Sequence, residues 1–207
     1  MSIDKLLSQG LGGLSIPLPE EIKQKLMAFI ALLDKWNRVY NLTAIRDKEK
    51  MVTHHILDSL AVAPFIQGVD VLDVGSGAGL PGVPLALVSP ERQFVLIDSN
   101  AKKTRFIQQA KAELGLTNVL VETVRAENFH PTNPFDTVIS RAFSSISQFL
   151  HSAGPLCKPD GVILAMKGEY PTAELQDIPD GYTVKAVLGV HVPRLNAQRH
   201  IVCIRRS

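Results

Sequence analysis

The chain has 207 residues, 45% hydrophobic and 20% charged, with a formal net charge of +2, which suffices for one sizeable core and a small appendage. Its two cysteines, Cys157 and Cys203, lie far apart and in no C-x-x-C pattern, which argues against a disulfide framework, a disulfide-linked partner and a zinc site and for a reducing compartment. No apolar stretch approaches the roughly 18 residues needed to span a bilayer, and the start MSIDKLLSQG has neither a long apolar core nor a basic leader, so the expectation is a soluble, cytoplasmic protein without a membrane partner.

In chain order, the first 65 residues read as helical. Ile22, Leu26, Phe29, Ile30, Leu33 and Trp36 recur at three- and four-residue steps and make one face of a helix that starts near Pro19. A second helix is predicted over 48–63, with Val52, Ile56, Leu60 and Ala63 on one stripe and nothing to break it. From Val69, strand and helix alternate: VDVLDV, a glycine-rich turn and a short helix to Val88, QFVLID, a helix over 101–114 closed by Gly115, then NVLVETV. FDTVIS, a helix over 146–154, a turn at Lys158 to Gly161 and VILAMK follow. Such alternation predicts right-handed crossovers and a parallel sheet with helices on both faces. The ending differs: YTVKAVLGVHV and RHIVCIRR are joined by a loop too short for a crossover helix, so the last strand must run antiparallel. The expected class is α/β, a seven-stranded Rossmann-like sheet with an antiparallel last strand, the architecture of class I methyltransferases. Residues 1–66 would be an N-terminal helical extension packed on a core domain of 67–207.

The turn from Asp73 to Gly82 supports two readings. Gly77, Gly79 and Gly82 satisfy G-x-G-x-x-G, and Asp98 follows Gly77 by 21 positions, near the spacing of a dinucleotide fold. A pyrophosphate, however, needs bare backbone N–H groups and a helix N-terminus, beside which the carboxylate of Asp73 sits badly. A cationic ligand suits that carboxylate. S-adenosylmethionine carries a sulfonium and an ammonium, and its enzymes use D/E-x-G-x-G here, matched by Asp73, Gly75 and Gly77 with Ser76 and Gly79 between and after them. Asp98, ending the next strand, is placed for the ribose hydroxyls.

Several cations sit where they could do chemistry. Arg141 and Lys167 follow the fourth and fifth strands, at the sheet edge where open α/β folds hold ligands, and are candidate positioning residues for catalysis. Lys102, Lys103 and Arg105 crowd the first turn of a helix, against its macrodipole, and phosphate binding would supply a reason. Residues 191–207 contain Arg194, Arg199, Arg205 and Arg206 and no acid, a pattern compatible with a polyanionic partner. His54 with Asp58 one turn later lacks a third metal ligand, so no metal is expected and packing is the better reading.

Absences narrow the reaction. Neither cysteine follows proline, as methylation at cytosine C5 would want, and the place of an N/D-P-P-Y/F motif is taken by Ser140-Arg141-Ala142-Phe143. A nucleophile with a free lone pair, such as guanine N7, needs alignment and no base.

Trp36-Asn37, Tyr40-Asn41-Leu42-Thr43, His55-Ile56-Leu57-Asp58-Ser59, the Asp73 to Gly82 turn, Ser140-Arg141-Ala142 and Lys167-Gly168 together closely resemble the RsmG (GidB) family, over about Leu18 to Arg205. The resemblance implies transfer of methyl from S-adenosylmethionine to N7 of a guanosine of 16S ribosomal RNA, conventionally numbered 527 in the 530 loop, in the small ribosomal subunit or its precursor. It also implies that Gly75 and Leu80 line the cofactor pocket, that Ala126 and Glu127 flank the adenine and that Arg141 joins the cofactor site. His54 stands where the family often has arginine, and Cys203, Arg205 and Arg206 replace a tail often rich in lysine. Two alternatives stay open: a dinucleotide-dependent oxidoreductase, and a non-catalytic RNA-binding module on the same fold.

Overall fold

A computed structural model describes residues 2–141 and 143–207; Ala142 of the Ser140-Arg141-Ala142 motif lies outside them. Helix α1 (Ile3–Gly13) is capped by Ser2, whose Oγ accepts from Lys5 N at 3.3 Å. Helix α2 (Glu20–Tyr40) begins directly after Pro19, with Glu20 and Glu21 in its first turn, and stops at Asn41 in a left-handed conformation. The apolar stripe of α2 packs on the helix after the second strand: the Phe106 ring lies 6.0 Å from Phe29 and 5.7 Å from Trp36.

The predicted helix over 48–63 is real but not uniform. It runs as α3 (Lys48–Met51), a π-helix (Val52–Leu57) and α4 (Asp58–Leu60), with a short 3₁₀ turn, Ala63–Phe65, around Pro64. Thr53 Oγ1 donates to Lys50 O at 3.2 Å, competing with the backbone for that carbonyl, and such back-bonding loosens an α ladder. From Met51 to Leu60 only His54 escapes burial, so this is a core helix enclosed on all sides, where the apolar stripe suggested one covered face.

The sheet has seven strands: β1 (Asp70–Val74), β2 (Gln93–Asp98), β3 (Val119–Thr123), β4 (Phe135–Ser140), β5 (Cys157–Lys167), β6 (Tyr182–Gly189) and β7 (His200–Arg206), in the order β3-β2-β1-β4-β5-β7-β6. The first five pair in parallel, and β7 is antiparallel to both β5 and β6. Strand order reverses between β1 and β4, and their C-terminal ends open the crevice where such sheets bind ligands. The expected Lys158 to Gly161 turn is instead drawn into β5. Phe135 pairs with Cys157 and Thr137 with Val162, so four residues face Asp136 alone, and they are held because Lys158 Nζ sits 2.7 Å from Asp136 Oδ1.

Helices α5 (Gly82–Val88) and α6 (Ala101–Leu114) cover one face with α1 to α4, and α7 (Ile146–Ala153) covers the other. One buried cluster runs without a break from Leu7, Leu26 and Phe29 through Val83 and Phe106 to Leu96 and Leu164. The N-terminal helices therefore share their core with the sheet. Helix α1 packs tightly on the π-helical segment at Gly10, where an added Cβ would overlap buried Leu57, whereas one at Gly12 would meet nothing within 4 Å. Gly10→Ala is expected to cost about 1–3 kcal/mol by overpacking, and Gly12→Ala to stabilise by about 0.5–1 kcal/mol through helix propensity. Urea unfolding of the two variants checks both signs.

Candidate active site

The glycine turn is built to make a concave backbone surface. Gly75, Gly77 and Gly79 all have positive φ, at 68°, 57° and 76°, which side chains other than glycine adopt at a cost. Above the turn lies a groove of about 310 Å³ with Gly75, Asp98, Ala126 and Glu127 on its wall. The turn's amides are largely committed inside the protein: Gly75 N and Ser76 N donate to Ile97 O at 2.9 and 3.0 Å, Gly77 N to Asp98 Oδ2 at 2.8 Å, and Gly82 N to Asp73 Oδ2 at 2.8 Å. Pro81 and Pro84, around the start of α5, have no N–H to offer. A pyrophosphate would find few donors here and two carboxylates, Asp98 and Glu127, in its way. Arg125, the one base on the groove wall among the described residues, lies 3.9 Å from Glu127.

Asp98 is held in place as an acceptor: its Oδ2 takes Gly77 N and its Oδ1 takes Asn100 N, each at 2.8 Å, and it lies on the groove wall. Asp73, Ser76 and Leu80 depart from expectation: they are 0%, 1% and 3% exposed and lie beneath the turn, not on the groove wall. Asp73 holds the start of α5 through Gly82 N, Ser76 Oγ donates to Ile97 O at 3.3 Å, and Leu80 fills the core. The second oxygen of Asp73, Oδ1, has no hydrogen-bond partner. Burial raises its carboxyl to about 7, against the pull of Gly82 N–H and the Arg141 charge.

Arg141 lines a second cavity, of about 340 Å³, together with His54, His55, Asp58, Lys167 and Arg199, and its charge also acts on Asp73 beneath the glycine turn. Asp58, with a side chain only 5% exposed, is the hub: Arg199 Nε donates to its Oδ1 at 2.7 Å and Arg141 Nη1 approaches its Oδ2 at 3.4 Å while donating to His54 O at 3.1 Å. The sequence reading missed Asp58 as a site residue. The available signal was a single acid within the stretch Met51–Leu60, which burial obliges to find a cation. Lys167 lies on the same wall, 2.7 Å from Glu174 Oε2, and Phe143, two residues past Arg141, lines the groove. The loop after β4 is thus the common wall of the two cavities.

The N-terminal motif braces this wall. Asn37, 2% exposed, accepts from Thr43 N at 2.9 Å and donates to Ile45 O at 3.1 Å. His55 Nδ1 faces His54 O at 3.1 Å, which can only accept, so Nδ1 carries the proton; in the neutral imidazole Nε2 then accepts from Thr43 Oγ1 at 2.9 Å, which itself accepts from Ile45 N at 3.2 Å. That assignment makes His55 neutral, and burial with the nearby Arg141 charge lowers its pKa to about 4. Elsewhere, Lys102 and Arg105 are exposed and Lys103 half-buried on α6, with Asn100 Oδ1 capping Lys102 N at 3.0 Å. They share a surface but lie outside both cavities, whereas Arg199, expected on an RNA face, is drawn into the second cavity by Asp58. Among the described residues no group of three or more His, Cys, Asp or Glu is placed to hold a metal ion, and no helix is long and apolar enough to cross a membrane.

Residues 22–202 match the model of the family GidB, rRNA small subunit methyltransferase G. The chain belongs to the GidB family. It is 47% identical over 202 residues to a ribosomal RNA small subunit methyltransferase G of Nitrosococcus oceani, covering 98% of this chain and 94% of that one. With a protein of the same name from Chromobacterium violaceum it shares 49% over 197 residues, 95% and 94% of the two chains. Similar solved structures include an S-adenosylmethionine-dependent methyltransferase from Aquifex aeolicus, at TM-score 0.57, 21% identity and 75% and 92% coverage. TYW2 of M. jannaschii in complex with AdoMet aligns at TM-score 0.57 and 18% identity over 74% and 76% of the chains. At such identities these two speak for the fold, which is that of class I methyltransferases.

Two buried groups give this GidB chain opposing pH dependences. The unfolded His55 takes a proton near 6.5 and the folded one only near 4, so stability from this group is lost as pH falls through that window, by at most ~3 kcal/mol. Asp73 keeps its proton in the folded state up to about 7, so its contribution falls as pH rises from about 4 to 7. In the wild type the two slopes largely cancel. His55→Gln should remove one of them, and urea unfolding at successive pH values should show the variant gaining up to ~3 kcal/mol relative to wild type between pH 6.5 and 4.

Proposed function

We propose that the chain transfers the methyl group of S-adenosylmethionine to N7 of a guanosine in the 530 loop of 16S ribosomal RNA, conventional position 527, within the cytoplasmic small ribosomal subunit or its precursor. The observation that carries this reading is a glycine cradle whose amides are taken and whose wall bears carboxylates, in a chain of the GidB family. It fits a cationic nucleoside and disfavours a dinucleotide. Asp98 would accept from the ribose hydroxyls, Ala126 and Glu127 would flank the adenine, Gly75 would let the backbone approach, and Asp73 would set a carboxylate beneath the cationic end. When bound, the cofactor supplies an electrophilic sulfonium methyl group. The protein's own part is to hold the guanine so that the N7 lone pair lies in line with the methyl carbon and to exclude water, which needs no general base. A guanine methylated at N7 carries a positive charge, so the site cations would belong near phosphate and not at N7.

Transfer of labelled methyl to small subunits from cells lacking this protein should place the label on a single guanine N7 in the 530 loop; label on another base would refute the assignment. Asp98→Ala should weaken S-adenosylmethionine binding by tenfold or more, as expected for losing charge-assisted hydrogen bonds worth about 1.5–3 kcal/mol. Unchanged affinity by calorimetry would remove its ribose role. Reversing Lys102, Lys103 and Arg105 to Glu should raise the KM for subunits and flatten its salt dependence with cofactor affinity intact; an unaltered salt slope would leave them as solvated surface.

A further inference from the structure

The network that braces the site uses Asn37 and Thr43 of the N-terminal motif but leaves Tyr40 and Asn41 without a task, and both lie at the surface. Helix α2 stops at Asn41, whose left-handed backbone turns the chain away. The last residues of the helix stand clear of the core, Val39 70% and Tyr40 42% exposed. Tyr40 is nonetheless held. One turn back, the Trp36 ring lies 5.2 Å from it and packs edge-on against buried Phe106 of α6 at 5.7 Å. Asn41, next in the chain, accepts through Oδ1 from Arg46 Nη2 at 2.8 Å, and among the described residues nothing accepts from Arg46 Nε or Nη1. An exposed, supported aromatic ring thus adjoins a guanidinium that is oriented and keeps N–H groups for an anion.

The surroundings are cationic. Residues 34–50 hold five cations against three acids, and one of those acids, Asp34, already meets both Arg38 and Lys48, at 3.0 and 3.2 Å. Residues 101–112 of α6 hold four cations and no acid. Phe106, against which Trp36 packs, lies one turn after Lys102 and Lys103, so the two groups of charge flank one aromatic cluster. Neither Tyr40 nor Arg46 lines the groove or the second cavity. We propose that this end of α2 is a docking platform for the RNA substrate at a nucleotide other than the one methylated. An unpaired base stacks on Tyr40, Arg46 takes the adjoining phosphate, and the backbone continues over the first turn of α6. The inference rests on the ribosomal RNA methyltransferase reading above. Stacking on an aromatic ring together with phosphate contact holds unpaired RNA without reading its sequence. A protein partner suits the patch less, because two exposed apolar side chains are too few for the apolar core of a protein interface, whereas the surplus charge answers a phosphate backbone.

The test uses the full-length protein and small subunits lacking the methyl group. It reads KM for subunits, its salt dependence and S-adenosylmethionine affinity in Tyr40→Ala, Tyr40→Phe and Arg46→Gln. Tyr40→Ala should raise KM about fivefold or more, while Tyr40→Phe, which keeps the ring, should stay within about twofold of the wild type. Arg46→Gln should raise KM and lower the log–log salt slope by about one. Cofactor affinity should be unchanged in all three, since neither position lines the groove. A photo-crosslinking phenylalanine analogue substituted for Val39 should join the protein to 16S RNA. Crosslinks to a protein of the subunit alone would overturn the inference in favour of a protein contact, and a Tyr40→Phe as impaired as Tyr40→Ala would overturn the stacking. An unchanged KM in Arg46→Gln and Tyr40→Ala while the wild type transfers label would also sink it; where Tyr40→Ala loosens the end of α2, the exposed Arg46 decides alone. A wild type that transfers no label to these subunits would refute the underlying reading itself and take this inference with it.

Discussion

A carboxylate taken out of water has to be neutralised, and Asp58 is neutralised by two cations that come from far later in the chain. Its partners Arg141 and Arg199 lie 83 and 141 residues away, one at the end of β4 and one just before β7. Removing one partner of such a buried pair typically costs several kcal/mol, because the charge left behind has no water. The three segments are therefore locked in register: the N-terminal helices cannot slide on the sheet without stripping Asp58. The same lock fixes the relation of the two cavities, since Arg141 belongs to the loop that divides them. Asn37, Thr43 and His55 extend it outward by neutral hydrogen bonds, so the N-terminal motif acts at the site through position and not by contact.

The glycine turn works on the opposite principle, with its polar groups turned inward and a bare backbone surface presented to the ligand. Asp73 is the clearest instance. Its side chain is where the motif places it, at the end of β1, but it points under the turn and holds Gly82 N, leaving one oxygen without a hydrogen bond. A fully buried carboxylate with an unsatisfied oxygen is unfavourable by itself. Burial accordingly raises its carboxyl to about 7.

Most of the architecture was legible in the sequence because it rests on local signals. The helix over Ala101–Leu114 ends at Gly115 as read, FDTVIS is β4 residue for residue, and the loop too short for a crossover dictated the antiparallel β7. What escaped depends on tertiary context. The π-helical turn at Val52–Leu57 leaves the apolar spacing of its helix almost unchanged, and the residues at 158–161 have turn chemistry yet join β5 because Lys158 finds Asp136. At the site, spacing pointed to Gly75 and Asp98 and the family resemblance to Ala126 and Glu127, and all four line the groove. Neither could say that Asp73 and Leu80 face inward, or that Arg141 and Arg199 would converge on Asp58, because side-chain direction at a strand end and pairing across 83 and 141 residues leave no periodic trace.

The position of β7 between β5 and β6 has a consequence for how the molecule is made. Strand β6 hydrogen-bonds within the sheet to β7 alone, so a nascent chain that has emerged only as far as residue 190 holds an unpartnered strand with a free edge, the kind of edge that recruits other chains. Five parallel strands can already be in place by then, glycine turn included. Arg199 is not, and Asp58 waits with one cation. The groove can thus form during synthesis, whereas the charged wall beside it is completed by the segment that also closes the sheet, which ties assembly of that wall to the end of folding.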